Sequence, residues 1–234
     1  MNKQPIVIKV GGSLLGLRRL HAELAEFLDG LDTHQVVLLT GGGPAVKALH
    51  HLSKTLPFTE AEAHWHCIDL MSDLTHSLSE TYPNSVAVNS WVEAERAWEV
   101  DRIPWFVVES YLRADDHSED HLPHRWDVSS DSIAAHLAAR YGAELILLKA
   151  CELPKRKASA KTLAKRGIVD AWFPKIADEM VAWSIRNLPG GTVPEISLDL
   201  VESKRPVRSR RKPPRAPRSR RAAPTASKVK RRRK

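Results

Sequence analysis

The chain has 234 residues, of which 42% are apolar, and it carries a formal net charge of +8. The charge is concentrated at one end: 16 of the 36 Lys and Arg residues lie in 203–234, whereas all 28 acidic residues lie at or before Glu202. Residues 1–202 therefore form an acidic body with 20 basic side chains, which disfavours a wholly basic nucleic-acid-binding fold. The two cysteines allow at most one disulfide, which excludes a disulfide-built scaffold. They form no CxxC pair, so the usual structural zinc spacings are absent. Because the sequence shows neither a signal-peptide core nor an apolar run of about 20 residues, we expect a cytoplasmic protein without membrane contact.

Apolar runs and helical stripes alternate along the acidic body. The predicted strands cover 6–10, 36–39, 86–88, 105–108, 145–148 and 196–201. The predicted helices cover 20–31, 44–52, 65–78, 90–98, 130–141 and 176–183, and a His- and Asp-rich loop is expected over 111–126. Continuous apolar strands separated by amphipathic helices are typical of parallel strands covered on both faces. The pattern predicts an α/β fold, a three-layer αβα sandwich with a mainly parallel central sheet.

The composition changes at about residue 202, which divides the chain into a domain over 1–202 and a disordered basic tail over 203–234. The tail is rich in Lys, Arg, Pro and Ala and has only two apolar residues larger than Ala, too few to offset the entropy of ordering it. We expect residues 204–234 to bind nucleic acid without sequence preference, because clustered cations release counterions from phosphates. A solubility or anchoring extension that folds back on the acidic body is the alternative.

Two glycine-rich turns follow predicted strands. Lys9-Val10-Gly11-Gly12-Ser13 ends the first strand, and Gly41-Gly42-Gly43 ends the second. Glycines allow a phosphate to approach backbone N–H groups, and Lys9 adds a positive charge. Two such turns can face each other across a sheet and hold two phosphorylated groups end to end, although a plain strand-to-helix turn is the alternative for each. Neither turn is a Walker loop or a GxGxxG motif.

A third polar segment lies at the start of a predicted helix. Residues 127–132 read Asp-Val-Ser-Ser-Asp-Ser, and Ser and Asp are ordinary helix N-caps. One cap needs only one such residue, so the other oxygens are free to position lysines or Mg²⁺.

Together, these three segments resemble the amino acid kinase superfamily, which includes acetylglutamate, aspartate and uridylate kinases. The resemblance covers roughly residues 5–200. Within the superfamily the chain looks most like the small kinases related to the aminomethylfuran phosphate kinase of methanofuran biosynthesis. This closer resemblance rests on segments 64–71, 124–132 and 169–174.

The resemblance implies a phosphotransferase that uses ATP and Mg²⁺ and phosphorylates a carboxylate or phosphate oxygen of a small anionic acceptor. Lys9 would bridge the reacting groups, backbone N–H groups of Gly11, Gly12 and Gly43 would bind the phosphates, and Asp131 would hold the lysines. Lys175 is the expected second lysine, and Lys149 is its competitor. The implied catalytic residues are Lys9, Asp131 and Lys175; those for the phosphates or nucleotide are Gly11, Gly12, Ser13 and Lys149; and those for the acceptor are Gly41, Gly42, Gly43, His124, Trp126, Ser129 and Ser130.

One segment departs from the family pattern. The family commonly has a Thr-Asp-Val-Asp-Gly-like loop near the nucleotide, whereas residues 149–157 read Lys-Ala-Cys-Glu-Leu-Pro-Lys-Arg-Lys. This motivates a first alternative, a degenerate kinase fold that senses nucleotides. The second alternative is a nucleic-acid-associated protein whose kinase-like body is an oligomerising scaffold. A homo-oligomer is expected for the kinase as well.

The His-rich loop contains His117, His121 and His124 together with Asp115, Asp116 and Asp120. Imidazole and carboxylate groups suit several divalent ions. The favoured interpretation is nevertheless a solvated loop at the acceptor site, and the sequence assigns no metal ligands.

Overall fold

A six-stranded sheet lies at the centre of the computed structural model, which describes residues 4–31, 35–154, 156 and 158–188. All its strand pairs are parallel, and the order is β3-β4-β2-β1-β5-β6. The strands are β1 (Ile6–Val10), β2 (Val36–Thr40), β3 (Ser85–Val88), β4 (Ile103–Phe106), β5 (Glu144–Lys149) and β6 (Trp183–Asn187).

Helices cover both faces of the sheet. A 3₁₀ helix spans Gly12–Gly16, and the α-helices are α1 (Leu20–Asp29), α2 (Gly43–Leu52), α3 (Glu60–Thr81), α4 (Trp91–Glu99), α5 (Val108–Asp115), α6 (Ser130–Tyr141), α7 (Ala160–Lys165) and α8 (Phe173–Ala177). Successive strand residues point to opposite faces: Val7 packs in the core that includes residues of α3, α6 and α8, and Ile8 packs in the core that includes residues of α1. The predicted three-layer α/β fold is confirmed.

The central strands are buried along their whole length, which explains their continuous apolar runs. Every residue of β1 and β2 is buried, and β1 lies between β2 and β5. The register pairs Val10 with both Thr40 and Leu148, so the three strands end level with one another. Their carboxyl ends therefore place the segments that follow them at one edge of the sheet.

Two predicted elements differ from the structure. The first part of the predicted 111–126 loop belongs to α5, because Tyr111, Leu112 and Asp115 turn a buried face toward the core. The helix predicted over 176–183 is wrong: α8 ends at Ala177, and Trp183 begins β6. The strand predicted over 196–201, the boundary at 202 and the basic tail lie outside the described residues. Within the described part, no helix is both long enough and apolar enough to cross a membrane.

Candidate active site

The two glycine turns are in backbone contact at the carboxyl edge of the sheet. The Gly41 N–H donates a hydrogen bond to the Val10 carbonyl oxygen at 3.0 Å. A Cβ atom added to Gly41 would lie 2.9 Å from the Gly12 nitrogen, and one added to Gly12 would overlap Gly43. Gly43 also has a φ of +56°, which L-residues rarely adopt. Glycine is therefore required at this crossing by both space and conformation.

The structure gives the glycines of the first turn different roles. The Gly11 N–H donates to the Leu148 carbonyl oxygen at 2.9 Å, so it continues the sheet and is not free for a phosphate, contrary to the expectation for this residue. Gly12 and Gly43 are the first residues of the 3₁₀ helix and of α2, where a backbone N–H has no partner within the helix. These two N–H groups, unlike that of Gly11, are therefore not used within the helices that they begin. Ser13 follows on the 3₁₀ helix with an exposed side chain.

A buried ionic triad lies beside this crossing. The Asp131 carboxylate is 3.0 Å from the Lys9 ammonium and 2.6 Å from the Lys149 ammonium. Lys9 lies in β1, Lys149 is the last residue of β5, and Asp131 is in the first turn of α6. Their side chains are 5%, 12% and 5% exposed, so the charges interact with little screening by water.

The electrostatics of the triad favour a charged carboxylate. Burial raises the pKa of Asp131, but the ammonium groups of Lys9 and Lys149 outweigh this and hold the pKa below the usual value. Burial and the neighbouring Lys9 charge lower the pKa of Lys149, and Asp131 opposes this change. Two cations share one anion, so the triad carries a surplus positive charge that an incoming phosphate can neutralise.

Asp170 fixes the start of α6, which carries Asp131. Its carboxylate accepts hydrogen bonds from the Ser129 N–H at 3.1 Å and the Ser129 hydroxyl at 2.7 Å. It also accepts from the N–H and hydroxyl of Ser132 and from the N–H groups of Trp172 and Phe173. One side chain thus joins the amino ends of α6 and α8. The sequence alone did not indicate a role for Asp170, although this residue lies within the 169–174 segment.

We expect Asp170→Ala to lower the free energy of unfolding by about 2–4 kcal/mol, because several donors at two helix starts lose a charged acceptor. Urea denaturation measures this change. Asp178→Ala, an exposed position at the end of α8, is the matched control and should stay close to wild type. Equal stability of the two variants would contradict the role assigned to Asp170.

Lys175 lies apart from the triad. It is exposed, and its ammonium is 3.2 Å from the centroid of the Trp172 ring. The ion-pair partners of Asp131 in the described structure are Lys9 and Lys149. Between the two lysines that the sequence left in competition, the geometry brings Lys149 into the site.

A cavity of about 210 Å³ opens next to the second glycine turn. Its wall combines apolar side chains, aromatic rings and two cations. It is lined by Gly42, Val46, Lys47, His50, His64, Cys67, Ile68, Met71, Arg125, Trp126, Val128, Ser129, Ser130 and Ile133. The Trp126 ring lies 4.3 Å from the His50 ring. α2 and α3 supply half of the lining residues, and apart from the 64–71 segment the sequence did not indicate that these two predicted helices line the site.

The residues predicted for the acceptor fall into two groups around this cavity. Gly42, Trp126, Ser129 and Ser130 line it. His124 is not among its lining residues: its Nε2 is 2.9 Å from an oxygen of Asp116, and its ring stacks 5.4 Å from the His64 ring. His64, which does line the cavity, has a lowered pKa because it is buried and near His124.

The sequence profile of the amino acid kinase family matches residues 4–152. The chain belongs to the amino acid kinase family. This stretch includes β1 to β5, both glycine turns, and the triad of Lys9, Asp131 and Lys149. Membership confirms the resemblance to this superfamily and supports a small-molecule phosphotransferase.

Solved structures of two kinases resemble this member of the family. Uridylate kinase from Archaeoglobus fulgidus has a TM-score of 0.52 at 17% identity, over 74% of this chain and 85% of that chain. At this identity, the likeness shows the shared fold. Aspartate kinase from Synechocystis has a TM-score of 0.45 at 13% identity, over 78% of this chain and 38% of that chain. No curated protein matches the chain.

Proposed function

We propose that the protein is an ATP- and Mg²⁺-dependent kinase that transfers the γ-phosphoryl group to a carboxylate or phosphate oxygen of a small anionic acceptor. The observation that carries this proposal is the buried triad of Lys9, Asp131 and Lys149 beside the Gly12–Gly43 crossing. Since the donor is ATP, we place the protein in the cytoplasm. We also expect a homo-oligomer, which sedimentation velocity measures.

The triad suits phosphoryl transfer between two anions. An acceptor that is already anionic needs little help from a general base, so catalysis consists of positioning and of neutralising charge on the transferred group. Lys9 and Lys149 supply the positive charge, and Asp131 keeps both ammonium groups at fixed positions. The N–H groups of Gly12 and Gly43 add donors for phosphate oxygens.

The ion pairs of Asp131 indicate which groups would hold the Mg²⁺ ion that accompanies ATP. Both carboxylate oxygens of Asp131 face lysine ammonium groups, one at 3.0 Å and one at 2.6 Å, so this side chain is committed to the lysines. The phosphate oxygens of ATP would therefore supply most ligands of the Mg²⁺ ion. When bound, the ion supplies further neutralisation of phosphate charge.

The cavity supports a compact acceptor with an anionic group and a flat or apolar part. Lys47 and Arg125 provide cations, Trp126 provides a flat surface, and Ile68 and Met71 belong to the apolar wall. Two of the three segments behind the closer resemblance line this cavity, and Asp170 in the third is bonded to Ser129. An aminomethylfuran phosphate-like precursor of a C1 cofactor is our first candidate.

Release of ADP from ATP tests this function. The full chain is incubated with ATP, Mg²⁺ and a panel of carboxylate and phosphate acceptors that begins with aminomethylfuran phosphate. We expect ADP release that depends on one acceptor and proceeds in the same way without the tail. Tight ATP binding without ADP release for any acceptor would instead favour the nucleotide sensor that the altered 149–157 segment motivates.

A pair of lysine variants separates the two candidates for the second lysine. We expect Lys149→Met to lower turnover by about 10²-fold, because it removes one of two cations at the transferred group. Lys175→Met should leave turnover close to wild type, because Lys175 is exposed on Trp172. Steady-state kinetics measures both. The reverse pattern would transfer the role to Lys175.

The basic tail supports a second, separate property. With 16 cations in residues 203–234 and no acidic residue there, we expect the full chain to bind DNA or RNA non-specifically. A plot of the logarithm of the binding constant against the logarithm of the salt concentration should have a slope of about −0.9 for each phosphate that the tail neutralises. A truncated protein ending at Glu202 should remain folded and lose this binding. Salt-insensitive binding would show that the contact is not electrostatic. A truncated protein that fails to melt cooperatively would contradict the proposed boundary at 202.

A further inference from the structure

The loop that connects α5 to α6 brings together three metal-ligating side chains. His124 Nε2 lies 2.9 Å from an oxygen of Asp116, and His121 Nδ1 lies 3.7 Å from the same oxygen. One ligand atom from each of the three residues lies within 4.8 Å of the other two. The remaining members of the His- and Asp-rich segment are not part of this cluster: Asp115 is bonded to His136 and Arg140.

We propose that Asp116, His121 and His124 bind a zinc ion. Zinc accepts imidazole nitrogen and carboxylate oxygen at about 2.0–2.2 Å in tetrahedral sites. In such a site, neighbouring ligand atoms are a little more than 3 Å apart, so the observed spacing of 2.9 and 3.7 Å requires only small movements. Three protein ligands leave the fourth position for water or for a ligand from outside.

Two of the three ligands are held in place by the fold. Asp116 is the C-cap of α5, and its N–H donates to the Leu112 carbonyl oxygen at 2.9 Å. The His124 ring packs edge-on against Trp65 at 4.8 Å and stacks with His64 at 5.4 Å, and its side chain is 23% exposed. The positions of these two groups are therefore fixed before a metal binds.

His121 is the adjustable ligand. Its side chain is 43% exposed, and its Nδ1 lies 3.1 Å from the Leu122 carbonyl oxygen. Binding of zinc through Nδ1 exchanges this hydrogen bond for a metal bond, which a small rotation of an exposed ring allows. The His-Leu-Pro-His sequence keeps both imidazoles in one short turn.

The surrounding charges allow a cation here. The nearby guanidinium of Arg113 is 2.8 Å from Glu109 and 3.8 Å from Asp69, and it lies over the Trp65 ring. Its ion pairs are therefore with Glu109 and Asp69, and Asp116 adds a weaker attraction.

The site would fasten one wall of the cavity. Arg125 and Trp126 follow His124 directly and line the cavity, and the Trp126 N–H donates to Glu60 on α3 at 3.1 Å. A metal on His124 therefore restrains the segment that presents these two side chains. The inference does not depend on the kinase reaction, because it rests on the three ligands alone.

A zinc titration of the metal-free full chain, in which a chromophoric chelator competes for the metal, tests the proposal. We expect a one-to-one complex with a Kd of about 10⁻⁵ M or tighter. Asp116→Asn and His121→Ala should each weaken it by about tenfold or more. His117→Ala removes an exposed histidine of the same loop that is outside the cluster, and it should bind zinc like wild type.

Melting curves without metal check that each variant is folded, and His121 is exposed enough for its replacement to be tolerated. The proposal is overturned by the lack of a one-to-one complex in this range. It is also overturned if the single variants Asp116→Asn and His121→Ala both bind zinc as tightly as wild type, or if His117→Ala weakens zinc binding as much as they do.

Discussion

Replacing Lys9 by alanine should lower the turnover of phosphoryl transfer by about 10²–10³-fold, the effect expected from the loss of one electrostatic stabiliser of the transition state. The Lys9 ammonium is buried, lies 3.0 Å from Asp131, and belongs to a strand whose end adjoins both glycine turns. Because this ammonium is buried, its charge acts on a phosphoryl group with little screening by water. Steady-state ADP release with the active acceptor measures the change.

The control for this variant is Lys54→Ala, because Lys54 is exposed beyond the end of α2. It should behave like wild type in turnover and in melting temperature. Near-normal turnover in a folded Lys9→Ala protein would contradict the role given to Lys9 and, with it, the proposed reaction centre.

Asp131→Asn should reduce both stability and turnover. The variant leaves two buried ammonium groups without their shared anion, and breaking a buried ion pair in this way typically costs about 3–5 kcal/mol. We expect turnover to fall more than ATP affinity, because the lysines keep their charge for phosphates but lose their fixed positions. Urea denaturation, calorimetric ATP titration and steady-state kinetics measure the three quantities.

The pH dependence of stability gives an independent check on Asp131. Its folded-state pKa is lowered, so its contribution is complete above the pKa of Asp in the unfolded chain. The contribution is lost as the pH falls toward the lower folded-state pKa. Acid unfolding of the wild type should therefore include a component that Asp131→Asn lacks. An unchanged rate and an unchanged acid limb would contradict the role of Asp131 in holding the two lysines.

The sequence predicted those elements whose burial is complete. β1 and β2 are buried on both faces, so their apolar runs are continuous and easy to recognise. α6 has clear boundaries because Ser129 caps its start and Gly142, with a φ of 63°, ends it. In contrast, the buried residues Trp183 and Ile185 alternate with less buried residues along β6. Over so few residues, this alternation is easily mistaken for the spacing of apolar residues in a helix.

The sequence predicted only those parts of the site whose residues are close neighbours in the chain. Each glycine turn and the Ser-Asp-Ser segment stand out alone, but the choice between Lys149 and Lys175 depends on which strand lies beside β1. Asp170 bonds to Ser129 and Ser132 across a sequence separation of about forty residues. The cluster of Asp116, His121 and His124 likewise depends on where α5 ends, and the sequence had placed that helix in a loop.

The most direct test of the reaction centre follows the phosphoryl group itself. The full chain is incubated with ATP labelled with ¹⁸O at the γ-phosphoryl group, Mg²⁺ and the active acceptor, and mass spectrometry follows both products. We predict that the labelled phosphoryl group appears on the acceptor in a one-to-one ratio with ADP. Transfer of the label should be lost in Lys9→Ala, which removes the charge, and retained in Lys54→Ala. Label recovered only as inorganic phosphate, or equal transfer by Lys9→Ala, would contradict a kinase that works through the Lys9, Asp131 and Lys149 triad.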